Sequence, residues 1–207
     1  MARYLLGSFS ALTILLSVVA CTESAEISRG ETGLDNASVL RSDSPERVAA
    51  VQPRAGRRIT AYLTGYSYWD NTPPGSAAIA RPVIHRRAGG KGTYDDPITL
   101  AVGHRIDGGR QTLDYAAGTR FYIERLRKYA IVEDVCGDGP KPQNGPCHSG
   151  HRGHPWIDIY VGGARHSRDA STQCMYRLTG LQTVEIQPPR GRDVVPGELT
   201  GSGCAVF

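Results

Sequence analysis

Hydrophobic and polar residues alternate with a two-residue period in several short segments, and this pattern predicts β-strands. In residues 155–163, PWIDIYVGG, the β-branched positions form one face and Trp156, Asp158 and Tyr160 form the other. Asp is depleted in strands, and a buried carboxylate is costly unless other groups compensate for it. The pattern therefore predicts a core face and a second face on which Asp158 is displayed.

Equivalent segments recur along the chain between Gly- and Pro-rich turns. The predicted strands cover residues 59–70, 77–85, 98–103, 118–126, 128–139, 156–163 and 181–189. One short helix is expected within residues 164–180, and a long loop within residues 137–154. Six or seven short strands separated by turns favour a small all-β barrel or sandwich.

The first residues have a different pattern, with one basic residue followed by an apolar run and small residues at Ala20 and Cys21. This predicts a secretory signal peptide over residues 1–20, because the run is too short for a membrane-spanning helix. The segment VVAC, residues 18–21, resembles a bacterial lipobox, so Cys21 is either lipidated or simply follows an ordinary cleavage site. A membrane partner is expected only if Cys21 carries a lipid.

Residues 21–58 are polar and lack a hydrophobic period, which predicts a disordered linker or leader before a domain at residues 59–207. The segments SVLR and SPER, at residues 38–41 and 44–47, resemble a degenerate RxLR–dEER leader of secreted oomycete effectors. Such a leader implies delivery into a host cell. Asn36 begins an Asn-Ala-Ser sequon and is a candidate glycosylation site.

Composition narrows the range of functions. The net charge is +4, and the arginines are scattered along the chain, which argues against a nucleic-acid partner. An exported protein reaches an oxidising compartment, so four of the five cysteines are expected to form disulfides. Proximity in sequence suggests the pairs Cys136–Cys147 and Cys174–Cys204, among three possible connectivities.

Asp158 is the leading candidate for chemistry. Trp156 and Tyr160 flank it on the same strand face, and aromatic rings pack against sugar rings. A carboxyl group beside them can exchange a proton with a glycosidic oxygen. The alternative is a structural Asp that accepts hydrogen bonds from the backbone or an arginine.

Two further carboxylates and two tyrosines complete the candidate site. Asp134 either acts in catalysis or braces the turn before Cys136, while Asp70 is either a third candidate carboxylate or caps its strand. Tyr66 and Tyr68 share a strand face with Asp70 by the two-residue period, which makes them candidate sugar-binding residues.

Three histidines in the 137–154 loop, His148, His151 and His154, are spaced by three residues. Neighbouring glycines and a proline favour a loop over a helix, and Cys147 is expected in a disulfide. Zinc ligation is an alternative, but the sequence predicts no metal site and no cofactor.

Four segments together resemble secreted proteins with a double-psi β-barrel: residues 64–80, 92–103, 114–139 and 156–163. That superfamily includes expansins, rare-lipoprotein-A-like wall proteins, three-aspartate domains of lytic transglycosylases and family-45 endoglucanases. The resemblance implies an all-β, six-stranded double-psi barrel. It also implies that Asp158 is the acid, that Asp134 matches the Asp before a glycine turn, and that Asp70 matches an endoglucanase base whose following cysteines are replaced here.

The expected function is that of a secreted, extracellular and monomeric barrel that binds or remodels a cell-wall polysaccharide, by glycoside cleavage through Asp158 or in an expansin-like manner. One alternative is a non-enzymatic effector that binds a host protein. Another is a bacterial wall-associated lipoprotein anchored at a membrane.

Overall fold

The structure is a computed structural model that describes residues 56–207. The predicted signal peptide, most of the predicted leader, Cys21 and Asn36 lie outside the described residues. In chain order the elements are β1 (Arg57–Tyr66), β2 (Ile98–Val102), β3 (His104–Asp107), β4 (Arg110–Leu113), β5 (Arg120–Ile123), β6 (Lys128–Val135), α1 (Pro146–Ser149), β7 (Trp156–Tyr160), α2 (Arg168–Leu178) and β8 (Gly180–Ile186). Two short 3-10 turns lie between these elements: Glu124–Leu126 between β5 and β6, and Pro142–Asn144 between β6 and α1.

Six of the strands close into a barrel in the order β1-β7-β2-β6-β5-β8. The pairs β1 with β7 and β2 with β6 are parallel, and the other four pairs are antiparallel. The predicted fold class, an all-β double-psi barrel of six strands with two disulfides, is confirmed. Closure of the barrel leaves these six strands without a free edge.

The core follows the alternation read from the sequence. Ile157, Ile159 and Val161 are fully buried, as the pattern of the 155–163 segment predicts. Strand β2 is buried at all five positions, so its side chains are shielded from solvent on both faces of the barrel wall. Burial on both faces accounts for its continuous apolar sequence, ITLAV.

Both predicted disulfides are present. The Cα atoms of Cys136 and Cys147 are 5.7 Å apart, and those of Cys174 and Cys204 are 5.4 Å apart. The second bond ties the C-terminal tail to α2, as expected. Helix α2 lies within the predicted helical segment, and the Ser167 side chain caps it by accepting a hydrogen bond from the Ala170 N–H.

One sequence prediction was wrong, and one element was not predicted. Residues 77–85 form no strand, since Pro82 has no N–H and the backbone N–H groups of the next three residues bind the Glu133 side chain instead. The β3–β4 hairpin was not predicted, although Gly108 and Gly109 form a turn between its alternating strands. Among the helices of residues 56–207, none combines the length and apolar character needed to cross a membrane.

Candidate functional site

A groove of about 360 Å³ opens at one end of the barrel, and all three predicted catalytic carboxylates line it. Asp158 comes from β7, Asp134 from β6, and Asp70 from the turn after β1. Asp138 lies exposed at the rim. Within the described part of the chain, no Lys, Arg or His side chain lines this groove, which therefore has a strongly acidic lining.

Strand register brings Asp158 and Asp134 to the groove. Strand β2 lies between β7 and β6, and Ala101 of β2 pairs with Asp158 on one side and Asp134 on the other. The register of β2 with β6 shifts between Leu100 and Ala101, so that Glu133 is an extra residue in β6. Such a β-bulge redirects the following side chain, and here it turns Asp134 towards the groove.

The Asp158 carboxyl is partly exposed and is oriented by a short relay of hydrogen bonds. The Trp156 indole Nε1–H donates to Thr64 Oγ1 at 2.8 Å, and the Thr64 hydroxyl donates to Asp158 Oδ1 at 2.7 Å. Thr64 lies opposite Asp158 in the parallel β1–β7 pair. Because the indole can only donate, the Thr64 hydroxyl proton is directed at Asp158.

The environment makes the Asp158 carboxyl a weaker acid than the side chain of an exposed Asp. Burial raises the pKa of Asp158 from 3.8 to about 7, while the hydrogen bond from Thr64 lowers it. The negative charges of Asp70 and then Asp134 are smaller contributions to the same net rise. A carboxyl group with a pKa near neutrality can keep a proton and donate it at neutral pH.

The Asp134 side chain accepts more hydrogen bonds than the Asp158 side chain does. Its Oδ1 accepts hydrogen bonds from the Ala80 N–H at 3.0 Å and the Val135 N–H at 2.9 Å, and its Oδ2 accepts one from the Tyr66 hydroxyl at 2.9 Å. Burial raises the pKa of Asp134 and these three donors oppose that effect. Burial and the Asp134 charge raise the pKa of Tyr66 well above 10, which keeps its hydroxyl a donor.

Asp70 is exposed at the end of the groove and is fixed by a local turn. Its Oδ1 accepts hydrogen bonds from the Ser67 N–H at 2.7 Å and the Ser67 hydroxyl at 2.6 Å. Among the hydrogen bonds of residues 56–207, none reaches Asp70 Oδ2. That oxygen is therefore open to a water molecule or a ligand in the groove.

Of the four predicted sugar-binding aromatic residues, only Tyr66 lines the groove. Tyr160 is buried and packs edge-on against Tyr66, with ring centroids 5.3 Å apart. Tyr68 packs against the adjacent Trp69, and Trp156 packs against Tyr62. These contacts place Trp156 behind Asp158, as an orienting group, and give Tyr160 a place in the core.

The three histidines considered as zinc ligands make contacts with different partners. The His148 Nδ1 lies 2.6 Å from an Asp114 oxygen, and the His151 ring stacks on Tyr62 at 4.1 Å. His154 pairs with His151 through the backbone. No group of three or more His, Cys, Asp or Glu residues within 56–207 is arranged to hold a metal ion.

Sequence reasoning missed three contributors to the site: Thr64, Ala101 and Glu133. Thr64 belongs to the same alternating face as Tyr66, but only the β1–β7 register places it against Asp158. Ala101 and the Glu133 bulge depend on the β2–β6 pairing, which has no local signal in the sequence.

Residues 58–205 match the family described as the DDB_G0273701 N-terminal domain. The chain belongs to this family. It is 34% identical over 145 residues to the Dictyostelium discoideum protein named "Uncharacterized protein DDB_G0273701/DDB_G0273221". The match covers 69% of this chain and 56% of the Dictyostelium protein, so the chain spans little more than half of that relative. No solved structure matches the chain.

Proposed function

We propose that the protein binds a cell-wall polysaccharide in the acidic groove and cleaves a glycosidic bond with Asp158 as the proton donor. The observation that supports this most directly is the state of Asp158. Its carboxyl lies in the groove, is oriented by Thr64, and has a pKa of about 7. Glycoside cleavage requires such a protonated carboxyl group beside the leaving oxygen.

In the proposed hydrolysis, the Asp158 proton moves to the glycosidic oxygen as the bond to the anomeric carbon breaks. A water molecule adds to that carbon and gives its proton to a second carboxylate. Asp70 is our candidate for this base, because its Oδ2 is open and its charge acts on Asp158 more strongly than that of Asp134. Asp134, which already accepts three hydrogen bonds, is better suited to hold the sugar.

The resemblance to expansins, three-aspartate domains and family-45 endoglucanases is the second support for the proposal. It aligns Asp158 with the acid of those families, and the closed six-stranded barrel is the architecture that they share. The displacement of Trp156, Tyr68 and Tyr160 from the groove lowers the sugar-stacking surface that an expansin-like binder needs. It thereby favours cleavage in a narrow groove over adhesion to a flat polymer surface.

The acidic lining limits the substrate class. Four carboxylates face the groove without a basic residue among its described lining residues, so a polyuronate would meet like charges. Neutral glycans and amino sugars are compatible with this field. We propose cellulose, β-glucan, chitin-type polymers and peptidoglycan as the candidate substrates.

The test is release of reducing ends from these polymers by the purified protein, compared with Asp158→Asn. We expect the variant to lose about 100-fold or more, the usual contribution of a general acid. Asp107→Asn, the same chemical change on the β3–β4 hairpin and outside the groove lining, is the matched control and should retain activity. Activity that survives Asp158→Asn would remove the catalytic assignment.

Two other outcomes would favour the alternatives. Binding without release of reducing ends would indicate a wall-binding protein of the expansin type. Absence of both binding and cleavage on all polymers would favour the effector hypothesis, in which the barrel binds a host protein.

We also propose that the protein is secreted. The two disulfides support an oxidising compartment. Mass spectrometry of the mature N-terminus tests the two forms of this proposal, since a lipidated Cys21 would indicate the lipoprotein alternative and an unmodified N-terminus after Ala20 would indicate a soluble secreted protein.

A further inference from the structure

One wall of the groove is a loop without regular secondary structure. We define the wall loop as residues 77–88; Ala78, Ile79 and Ala80 of this loop line the groove. A backbone hydrogen bond from the Ala88 N–H to the Ala77 carbonyl oxygen closes its base at 2.8 Å.

Apolar packing does not hold the tip of the wall loop. Val83 and Ile84 at the tip are 49% and 46% exposed. Hydrogen bonds to the barrel must therefore supply most of the attachment at this end of the loop. The position of the groove wall depends on the groups that make those bonds.

The central group is Glu133, the extra residue of the β6 bulge, whose side chain is fully buried. Its Oε1 accepts hydrogen bonds from three consecutive backbone N–H groups, those of Val83 at 3.2 Å and of Ile84 and His85 at 2.8 Å each. Its Oε2 accepts a bond from the Thr99 hydroxyl at 3.3 Å. Bonds to a charged acceptor are stronger than bonds between neutral groups.

His85 links this carboxylate to a second one. Its Nδ1 lies 2.7 Å from Glu133 Oε2 on β6, and its Nε2 lies 3.0 Å from Asp96 Oδ1 in the segment before β2. These are the charged groups that face the ring. Only the imidazolium form can donate to two ionised carboxylates at once, so this geometry favours a protonated His85.

Two adjacent residues of β6 link the attachment of the loop tip to the groove. Glu133 holds the tip, and Asp134 accepts a hydrogen bond from the Ala80 N–H in the groove wall. The Arg81 N–H also donates to the Glu133 carbonyl oxygen at 2.8 Å. A movement of the loop tip would therefore move the wall beside Asp134.

We propose that Glu133, His85 and Asp96 are positioning residues that hold the wall loop against the groove while His85 is protonated, and that loss of this proton loosens the loop. The effect on ligand binding rests on the function proposed above, whereas the movement of the loop does not. The device makes the groove best formed at mildly acidic pH.

The direction of the pH effect follows from the two carboxylates. Burial lowers the pKa of His85, but the hydrogen bonds and charges of Asp96 and Glu133 outweigh it and raise the pKa above 6.5. The stabilisation is therefore complete below pH 6.5 and is lost as pH rises through the higher folded value. Above that value one ring nitrogen presents a lone pair to a carboxylate.

Hydrogen exchange of the backbone amides of residues 83–85 tests the proposal in the purified protein. Rates are measured between pH 5.5 and 8.5 and corrected for intrinsic exchange. We expect loop protection in the wild type to fall about 10-fold or more across this range, as for loss of a charge-assisted bond. His85→Gln should show no such pH dependence, and Glu133→Gln should expose the loop at every pH.

His148→Gln is the matched control, because it removes another close His–Asp contact in the described part of the chain, that with Asp114, at a position outside the wall loop. Protection of strand β2 reports global folding in every variant. The proposal is overturned if His85→Gln keeps the wild-type pH dependence, or if wild-type protection is constant. His85→Gln and Asp96→Asn keep the test decisive if Glu133→Gln does not fold.

A parallel measurement separates this inference from the proposed function. Affinity for soluble oligosaccharides should follow loop protection across pH if both hold. Loop opening without any oligosaccharide binding would support the wall-loop device and contradict the proposed function. Oligosaccharide binding with pH-independent loop protection would support the proposed function and contradict the wall-loop device.

Discussion

Replacement of Asp158 by Asn should stabilise the protein at neutral and alkaline pH while it lowers cleavage about 100-fold or more. Because the pKa of Asp158 is about 7 in the folded protein, against an ordinary value of 3.8 for an exposed Asp, the folded protein binds its proton more tightly than the unfolded chain does. The wild type therefore loses stability as pH rises from about 4 to 7, because in this range the unfolded chain releases the Asp158 proton while the folded protein still holds it. Asn has no charge and avoids this cost, and it can still accept the bond from Thr64.

The pKa difference sets an upper limit to this effect. The difference between 3.8 and about 7 corresponds to about 4 kcal/mol at pH above 7. Asp158 is partly exposed to groove water, which lowers this value, so we expect roughly 1–2 kcal/mol. At pH 4 the two proteins should differ little, because Asp158 is then largely protonated in the folded protein and close to half protonated in the unfolded chain.

Urea denaturation at pH 4, 5.5, 7 and 8.5 measures the free energy of unfolding of the wild type and Asp158→Asn. The difference between them should grow with pH and level off near pH 8. Asp107→Asn, an exposed carboxylate on the β3–β4 hairpin, controls for the loss of one negative charge. Parallel curves for the wild type and Asp158→Asn would refute the reasoning, because they would mean that the burial of Asp158 does not perturb its ionisation.

Three further results are expected. Thr64→Val removes the hydrogen bond that lowers the pKa of Asp158, so the alkaline limit of cleavage should move to higher pH; an unchanged pH–rate profile would contradict this. Replacement of Cys174 and Cys204 by alanine should cost about 3–4 kcal/mol in denaturant unfolding, given their 30-residue separation. Ala101→Leu should fill the groove floor and weaken oligosaccharide binding at least tenfold in calorimetry, while retained affinity would place the ligand elsewhere.

Much of the barrel was predictable because its signals are local. The alternation at Ile157 and Ile159 fixed the core face of β7, and the sequence separation of the cysteines suggested both disulfides. The convergence of Asp70, Asp134 and Asp158 on one groove agrees with the residues singled out from the strand pattern. Their chemical roles stay predictions until activity is measured.

The unpredicted features depend on pairing between distant strands. The alternation places Tyr160 on the same face as Asp158, but the adjacent β1 residue Tyr66 covers it in the closed barrel. The extra residue at Glu133 breaks the two-residue period of β6 where Asp134 turns to the groove. A pattern read along one strand cannot show either effect, because both arise from the neighbouring strand.

The parallel pairing of β1 with β7 also has a kinetic consequence. Thr64 and Asp158 are 94 residues apart in sequence, yet they share a hydrogen bond at the groove. Contacts between such distant segments form late and slow the folding of β-rich domains to milliseconds or seconds. The Asp158 site can therefore form only after β7 has been synthesised, so that no N-terminal fragment ending before residue 158 carries the acid together with Thr64.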